Sequence, residues 1–267
     1  MKNIKKILAV ALAIAIVAVT FVACSGSKSK EETKSLTANE GVLVMATNAT
    51  FPPYEYKEGD DFAGIDVEIA GKIAEKLGLK LEIQDVEFGS IIGGVQTGKF
   101  DIGMAGMTVT DERKQSVNFT NTYAKAKQVV IVKEGSAIKS LDDLKGDGSM
   151  KYGVQQDTTG DIYASDTAEK GGYGEENVIR YKTGAEAIEA LKADKVQAVI
   201  IDNEPAKSFV EANKGLTILD GAWVEEEYAI AISKDNEELL NKINAALEEL
   251  TADGTIQQIV DKYIPAK

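Results

Sequence analysis

Apolar and polar positions along this chain follow two alternating rhythms. Residues 42–46 (VLVMA) form a continuous apolar run, the pattern of a strand buried on both faces. From Asp66 to Leu77, Val67, Ala70, Ile73, Ala74 and Leu77 share one helical face, and Gly78 stops the helix. Residues 79–83 alternate as a half-buried strand does. Ser90 is positioned to cap a short helix through Val95, closed by Gly98, and residues 101–104 read as a strand. Thr110 supplies a cap hydroxyl, with Asp111 and Glu112 in the first turn after it. Strands follow at 129–132, 152–154 and 178–181, with a capped turn at Ser140. A helix through Ala187, Ile188 and Leu191 leads to the apolar run 196–201, then a helix over 204–213. A last strand at 228–232 precedes two C-terminal helices, one through Leu239, Ile243, Leu247 and Leu250, the other through Ile256, Ile259 and Tyr263. Strands alternating with helices predict an α/β architecture with largely parallel sheets.

The N-terminus has a different pattern. Residues 7–22 are apolar apart from Thr20, preceded by Lys2, Lys5 and Lys6 and followed by Ala23, Cys24, Ser25 and Gly26. That order is the layout of a secretory signal, and the run is short of the ~20 apolar residues that span a bilayer. Cys24 is the sole cysteine, so no internal disulfide can form. Residues 21–24 resemble the bacterial lipoprotein signal, in which the cysteine is lipidated and becomes the first residue after cleavage. Phe21 stands where that pattern usually has leucine. The plain alternative is an uncleaved helix with an incidental cysteine. Residues 1–23 are thus expected as a signal peptide and 24–40, almost devoid of apolar side chains, as a flexible spacer. The remaining body is long enough for one large domain or two small ones.

Composition narrows the chemistry. The net charge of −13 argues against nucleic-acid binding, which normally requires a basic surface. With no histidine and the only cysteine at the anchor, Cys/His zinc sites and His-based triads are excluded, and no metal or cofactor is expected. Of 30 basic residues only Arg113 and Arg180 are arginine.

Ligands of α/β folds sit at the carboxyl ends of strands, so the segments after each strand are informative. They contain a proline-stiffened aromatic loop at 47–54, the stretch 103–113 ending in Arg113, the loop 155–161, and Asp202-Asn203. Arg113 can pair with a carboxylate through two parallel bonds, Thr158 and Thr159 offer donors at a helix start, and Asp202 can accept from an ammonium. Together these groups suit a zwitterion. By residue type alone Arg113 also fits a helix-surface cation, Phe51 a core position, and Thr158, Thr159 and Asp202 simple caps. Arg180 reads as surface and Trp223 as packing.

Seven segments in order, FPPYEY (51–56), GIDVE (64–68), GKFD (98–101), GMTVTDERK (106–114), VNFT (117–120), VQQDTTG (154–160) and AVIID (198–202), resemble the polar amino acid solute-binding family of ABC importers. The resemblance covers nearly all of residues 41–267. It implies a two-lobed, type II periplasmic-binding-protein fold of α/β class with two crossover strands as hinge. Lobe 1 would take 41–123 plus 229–267, lobe 2 128–224, and the hinge strands 124–127 and 225–228.

By the same resemblance, Arg113 would hold the ligand carboxylate with Thr108 and Thr158 or Thr159. Asp202 and the Gly106 carbonyl would take the ammonium. Phe51 would stack on the ligand, Ile65 would pack beside it, and Asn48 and Gln155 would face its side chain. Asp157 replaces a glycine common in the family at that turn, which restricts the backbone there. The neutral set Asn48, Ile65 and Gln155 favours a neutral polar amino acid such as glutamine or cystine, with Asp157 keeping a basic one open. The implied protein is a non-enzymatic, extracytoplasmic monomer, lipid-anchored to the membrane and partnered by an ABC permease. A membrane-receptor sensor and a cyclohexadienyl/prephenate dehydratase-like enzyme, with Asp157 as its acid, are the alternatives.

Stable anchoring takes two acyl chains or an equivalent second signal. Cys24→Ser is therefore expected to release the protein from the membrane with ligand affinity unchanged. Detergent-phase partitioning is the check, and continued retention would point to an uncleaved helix.

Overall fold

The computed structural model of the protein describes residues 35–265. The expected signal peptide, Cys24 and residues 24–34 of the expected spacer lie outside the described residues. In chain order the elements begin with β1 (Val42–Thr47), β2 (Thr50–Phe51), β3 (Glu55–Glu58), β4 (Asp61–Ala63), α1 (Ile65–Leu77), β5 (Lys80–Asp85), α2 (Ser90–Gln96), β6 (Ile102–Gly103), α3 (Asp111–Ser116), β7 (Val117–Phe119) and β8 (Ala124–Lys133). They continue with β9 (Tyr152–Gln155), α4 (Thr159–Ser165), β10 (Val178–Tyr181), α5 (Gly184–Lys192), β11 (Ala198–Asp202), α6 (Asn203–Ala212), β12 (Leu216–Ile218), β13 (Val224–Tyr228), β14 (Ala231–Ser233), α7 (Glu237–Ala252) and α8 (Thr255–Tyr263).

Two sheets carry the two lobes. The first runs β5-β1-β6-β14-β7 and the second β10-β9-β11-β8-β12, with β13 paired along the start of β8. In the first, β1 is parallel to β5 and β6 while β14 is antiparallel to β6 and β7. In the second, β9 is parallel to β10 and β11, and β8 is antiparallel to β11, β12 and β13.

The apolar runs are continuous because each sheet is covered on both faces. In β1, Leu43 and Met45 join the cluster with Ile69, Ile73, Leu239 and Ile243 of α1 and α7, while Val44 and Ala46 join Ile91 and Val95 of α2. The second sheet divides the same way. Val129, Ile131, Val199 and Ile201 cluster with Ile188, Leu191 and Phe209 of α5 and α6, whereas Val130, Val132, Ala198 and Ile200 cluster with Tyr152, Val154 and Ala164. Trp223 packs at the edge of that second cluster, stacked on Tyr173.

Several boundaries differ from the sequence expectation. The expected strand at 228–232 is two strands, because the chain changes sheets there: Tyr228 pairs with Ala124 and Ala231 with Phe119. Between them, Ala229 donates to the Met107 carbonyl, and Ile230 donates to the Thr120 hydroxyl while its carbonyl accepts from the Thr120 amide. The strand expected at 129–132 begins five residues earlier, at Ala124, since its first half pairs with β13 rather than with the sheet core. Ser90 is the first residue of α2 rather than its cap, a position held by Gly89. The ribbon of β2, β3 and β4 had no expected counterpart.

The spacer expected to reach Glu40 gives way to structure before that residue. Leu36 packs against the main cluster, its carbonyl accepts from Asn236, and Ala38 donates to Asp101 at 2.8 Å. The other Asp101 oxygen accepts from the Val44 amide, also at 2.8 Å. One buried carboxylate thus ties the entering chain to β1. Removing it leaves two amides short of an acceptor, each at a cost of ~1–3 kcal/mol when buried. Asp101→Ala is expected to destabilise by about 2–4 kcal/mol in urea unfolding and to speed amide exchange at Ala38 and Val44. A loss under about 0.5 kcal/mol would mean that water replaces the carboxylate.

Candidate functional site

Between the lobes, loops that follow strands of both sheets meet around one small cavity. It is lined by Asn48 and Phe51 after β1, Gly106, Thr108 and Arg113 after β6, Gln155, Thr158 and Thr159 at the end of β9, and Asp202 at the end of β11. The empty space it encloses, counting what opens to solvent, is about 300 Å³. Of the residues expected from the sequence, Ile65 is the exception. As the first residue of α1 it is fully buried in the same apolar cluster as Phe51 and Tyr54, and it does not line the cavity.

Arg113 is placed by its own helix. The Thr110 hydroxyl caps α3 by accepting from the Arg113 amide, which directs the side chain inward, where it is 7% exposed. Nη1 donates to the Thr108 carbonyl at 2.7 Å and Nη2 to the Asp157 carbonyl at 3.0 Å, on the opposite lobe. The guanidinium lies over the Phe88 ring, 5.2 Å from its centre. No carboxylate forms an ion pair with it among the described residues. Burial lowers its pKa, with Glu226 and Asp202 opposing, yet a guanidinium keeps its charge in proteins.

The Asp157 carbonyl faces Arg113 because the residue adopts a left-handed backbone, φ 65°. A non-glycine side chain is strained in that region, and the departure from glycine noted in the sequence falls on the turn that needs it. The Asp157 amide donates to Asp161 at 3.0 Å. Its carboxylate opens onto a second, outer cleft with Phe88, Ile92, Ile162 and Arg180. Arg180 itself is held at the surface by Asp161 and Glu175.

Gly106 requires glycine. Its φ is 51°, and an added Cβ would sit 2.8 Å from the Phe51 ring. The amide of this turn donates to Asp66 at 2.8 Å. Thr158 and Thr159 both line the cavity, but with different duties. The Thr158 hydroxyl donates to the Gln155 carbonyl and caps α4, while the Thr159 hydroxyl accepts from Gln128 at 3.2 Å. Asp202 holds the cap position of α6 without capping it, and accepts instead from the Tyr228 hydroxyl at 2.5 Å. Burial, with Glu226 adding to it, raises its pKa well above the usual carboxylate range.

Asn48 and Gln155 are tied to one another across the cleft. The Asn48 oxygen accepts from Gln155 Nε2 at 2.9 Å and from the Thr50 hydroxyl, and its amide group donates to the Val86 carbonyl.

Three lining residues, Glu55, Phe88 and Ala105, were not singled out in the sequence. Glu55 is 1% exposed, opens onto the cavity, and neither of its carboxyl oxygens meets an N–H donor. It sits opposite Phe51 in the β2–β3 ladder. A tight hairpin through Pro52-Pro53-Tyr54 brings the two side chains to one face, the only sequence signal that could have found it. Phe88, Tyr228, Gln128 and Glu226 were missed for the same kind of reason, since each reaches the site through tertiary pairing.

The chain matches the family described as bacterial extracellular solute-binding proteins, family 3, over residues 43–266. The arginine-binding extracellular protein ArtP of Bacillus subtilis (strain 168) is 33% identical over 255 residues, 94% of this chain and 95% of that protein. The ABC transporter glutamine-binding protein GlnH of the same organism is 31% identical over 274 residues, 97% of each chain. Among solved structures, an ancestral arginine-binding protein bound to glutamine has a TM-score of 0.78 at 40% identity, covering 85% of this chain and all of that one.

A carboxyl whose folded pKa is raised binds its proton more tightly folded than unfolded, so its contribution to stability falls as pH rises above about 4 toward the raised value. The stability of the ligand-free protein relative to its Asp202→Asn variant is therefore expected to decline between pH 4.5 and 8. Urea unfolding of both proteins across that range is the measurement. A pH-independent difference would show that Asp202 titrates like an exposed carboxylate.

Proposed function

This chain belongs to the bacterial extracellular solute-binding proteins, family 3, and we propose that it captures an L-amino acid for an ABC importer by closing two lobes on it, with a cationic side chain, arginine first, as the preferred ligand. The observation that carries the amino-acid reading is the buried Arg113 guanidinium with no ion-paired carboxylate, which leaves a place for the ligand's own. Asp202 is the acceptor for the ammonium. Thr108, Thr158, Thr159 and the Gly106 carbonyl complete the frame, Phe51 supplies an apolar wall, and closure turns on β8 and β13.

The side-chain preference changes from that expected in the sequence. Asn48 and Gln155 spend hydrogen bonds on each other, whereas Glu55 lines the cavity with a carboxyl that meets no N–H or hydroxyl donor among the described residues. The name of ArtP agrees with that reading. A neutral ligand such as glutamine remains the second reading, supported by the Asn48–Gln155 pair and by GlnH. Asp157, the acid that an enzymatic reading would call on, opens onto the outer cleft, which favours binding over turnover. Delivery to a permease and a lipid anchor at Cys24 complete the proposal.

A thermal-shift screen against the common amino acids is the first test. A ligand at 100 times its Kd stabilises by ~2.7 kcal/mol, and arginine is expected to give the largest shift at pH 8. A screen in which only neutral amino acids respond would overturn the cationic preference. Breaking a desolvated charge pair costs ~2–5 kcal/mol, or roughly 30- to several-thousand-fold in affinity. Arg113→Ala is expected to lose at least that much by calorimetry. A variant binding within about threefold of wild type would move the site elsewhere.

A further inference from the structure

Glu55 does not stand alone. Asp66, at the start of α1, is fully buried next to it in the fold: the Asp66 amide donates to the carbonyl of Tyr54, the residue before Glu55, at 2.9 Å, and, beyond the effect of burial, each carboxyl shifts the pKa of the other. Asp66 Oδ2 accepts from the Gly106 amide and the Tyr123 hydroxyl, both at 2.8 Å. The remaining Asp66 oxygen and both Glu55 oxygens have no N–H or hydroxyl donor among the described residues, so the hydrogen available to them is a carboxyl proton. Two neighbouring like charges within a desolvated site do not both ionise. Glu55 lines the cavity and Asp66 does not.

We propose that Glu55 and Asp66 share one proton in the wall of the empty site, and that a cationic ligand side chain expels it to solvent whereas a neutral one does not. The pair then makes pH a selector between ligand classes: cationic amino acids gain over neutral ones as pH rises. This rests on the amino-acid reading of the cavity and deepens it.

The charged and titratable groups facing Glu55 support this assignment. They are Asp66, Asp202 at the head of α6, Tyr54 and Tyr123 beside it, and Arg113, which lines the same cavity. Burial raises Glu55 far above the ordinary carboxylate value, with the charge of Asp66 adding to it, and burial lifts Asp66 to about 6. Both shifts favour the protonated form, so the pair retains a proton at higher pH than two exposed carboxyls would. Arg113 is already held by two carbonyls and is the frame for the ligand's carboxylate, so Glu55 remains free for the side chain. Asp202 adds a pH dependence of its own by meeting the ammonium, but it does so equally for every amino acid. The ratio of two affinities cancels it.

The test is calorimetry of L-arginine and L-glutamine binding to the full chain from pH 5.5 to 8.5, in buffers of different ionisation enthalpy. Arginine binding is expected to release close to one proton more than glutamine binding. The arginine-to-glutamine affinity ratio should rise by up to about tenfold per pH unit while Glu55 is protonated. Glu55→Gln, which keeps the shape, should make the ratio independent of pH. Asp66→Asn removes the neighbouring charge and should move the rise to lower pH. A ratio that is flat in the wild type, or a slope that survives Glu55→Gln, overturns the proposal while leaving amino-acid binding intact. Absence of binding by either ligand at every pH overturns the amino-acid reading and the proposal with it.

Discussion

Holding a guanidinium out of water costs several kcal/mol unless its hydrogen bonds are met and its charge is balanced. Arg113 meets the first in part, through two of its five N–H groups, and lacks the second. Carbonyls from both lobes and the Phe88 face hold the group, yet no carboxylate forms an ion pair with it among the described residues. Much of the site serves this arrangement. Thr110 caps α3 to aim the side chain, and the left-handed turn at Asp157 brings a carbonyl from the second lobe. An anionic ligand group that completes the balance gains most when the lobes are together, because half of the frame belongs to each.

The opposite side of the cavity is acidic to a matching degree. Asp202, Glu226, Glu55 and Asp66 are all buried, and burial raises the pKa of Asp202, Glu55 and Asp66. Hydroxyls and amides hold them: Tyr228 on Asp202, Gln128 on Glu226, Tyr123 and the Gly106 amide on Asp66. Two of these holders, Tyr228 and Gln128, lie on the paired strands β13 and β8 that run between the lobes. The groups that hold the acid side are therefore built into the two paired strands to which the proposed function assigns the closure. In the proposed function a zwitterion would lie between Arg113 and Asp202 and meet both ends at once.

Layer architecture was legible along the chain. The unbroken run at 42–46 and the run at 196–201 meant strands covered on two faces, and the alternate side chains of β1 and β11 do enter different apolar clusters. α1, with a clear 3.6-residue stripe and a glycine stop, was found with nearly correct ends, since stops are local. Errors concentrated where pairing between distant segments decides the outcome. The chain at 228–232 is apolar throughout, and only its partners, Ala124 on one side and Phe119 on the other, divide it between two sheets.

The same division holds for the site. Residue chemistry and loop position by themselves marked Arg113, Thr158, Thr159 and Asp202, and the family resemblance added Asn48, Phe51, Gly106, Thr108 and Gln155; these nine line one cavity. Ile65 was misplaced because a β-branched residue opening a helix can face either ligand or core, and its surroundings settle which. Glu55 was passed over because a carboxylate between two tyrosines gives no sign of whether it is solvated. Solvation depends on what folds over a residue, and here Asp66 arrives from α1 and Tyr54 and Tyr123 from two loops. The sequence determined the elements, the two layers around each sheet and the cation, because those follow from short-range periodicity and residue type. Only tertiary structure decided which acids are buried, which of them lie together and which one meets the cavity, because desolvation and charge coupling are properties of neighbours far apart in the chain.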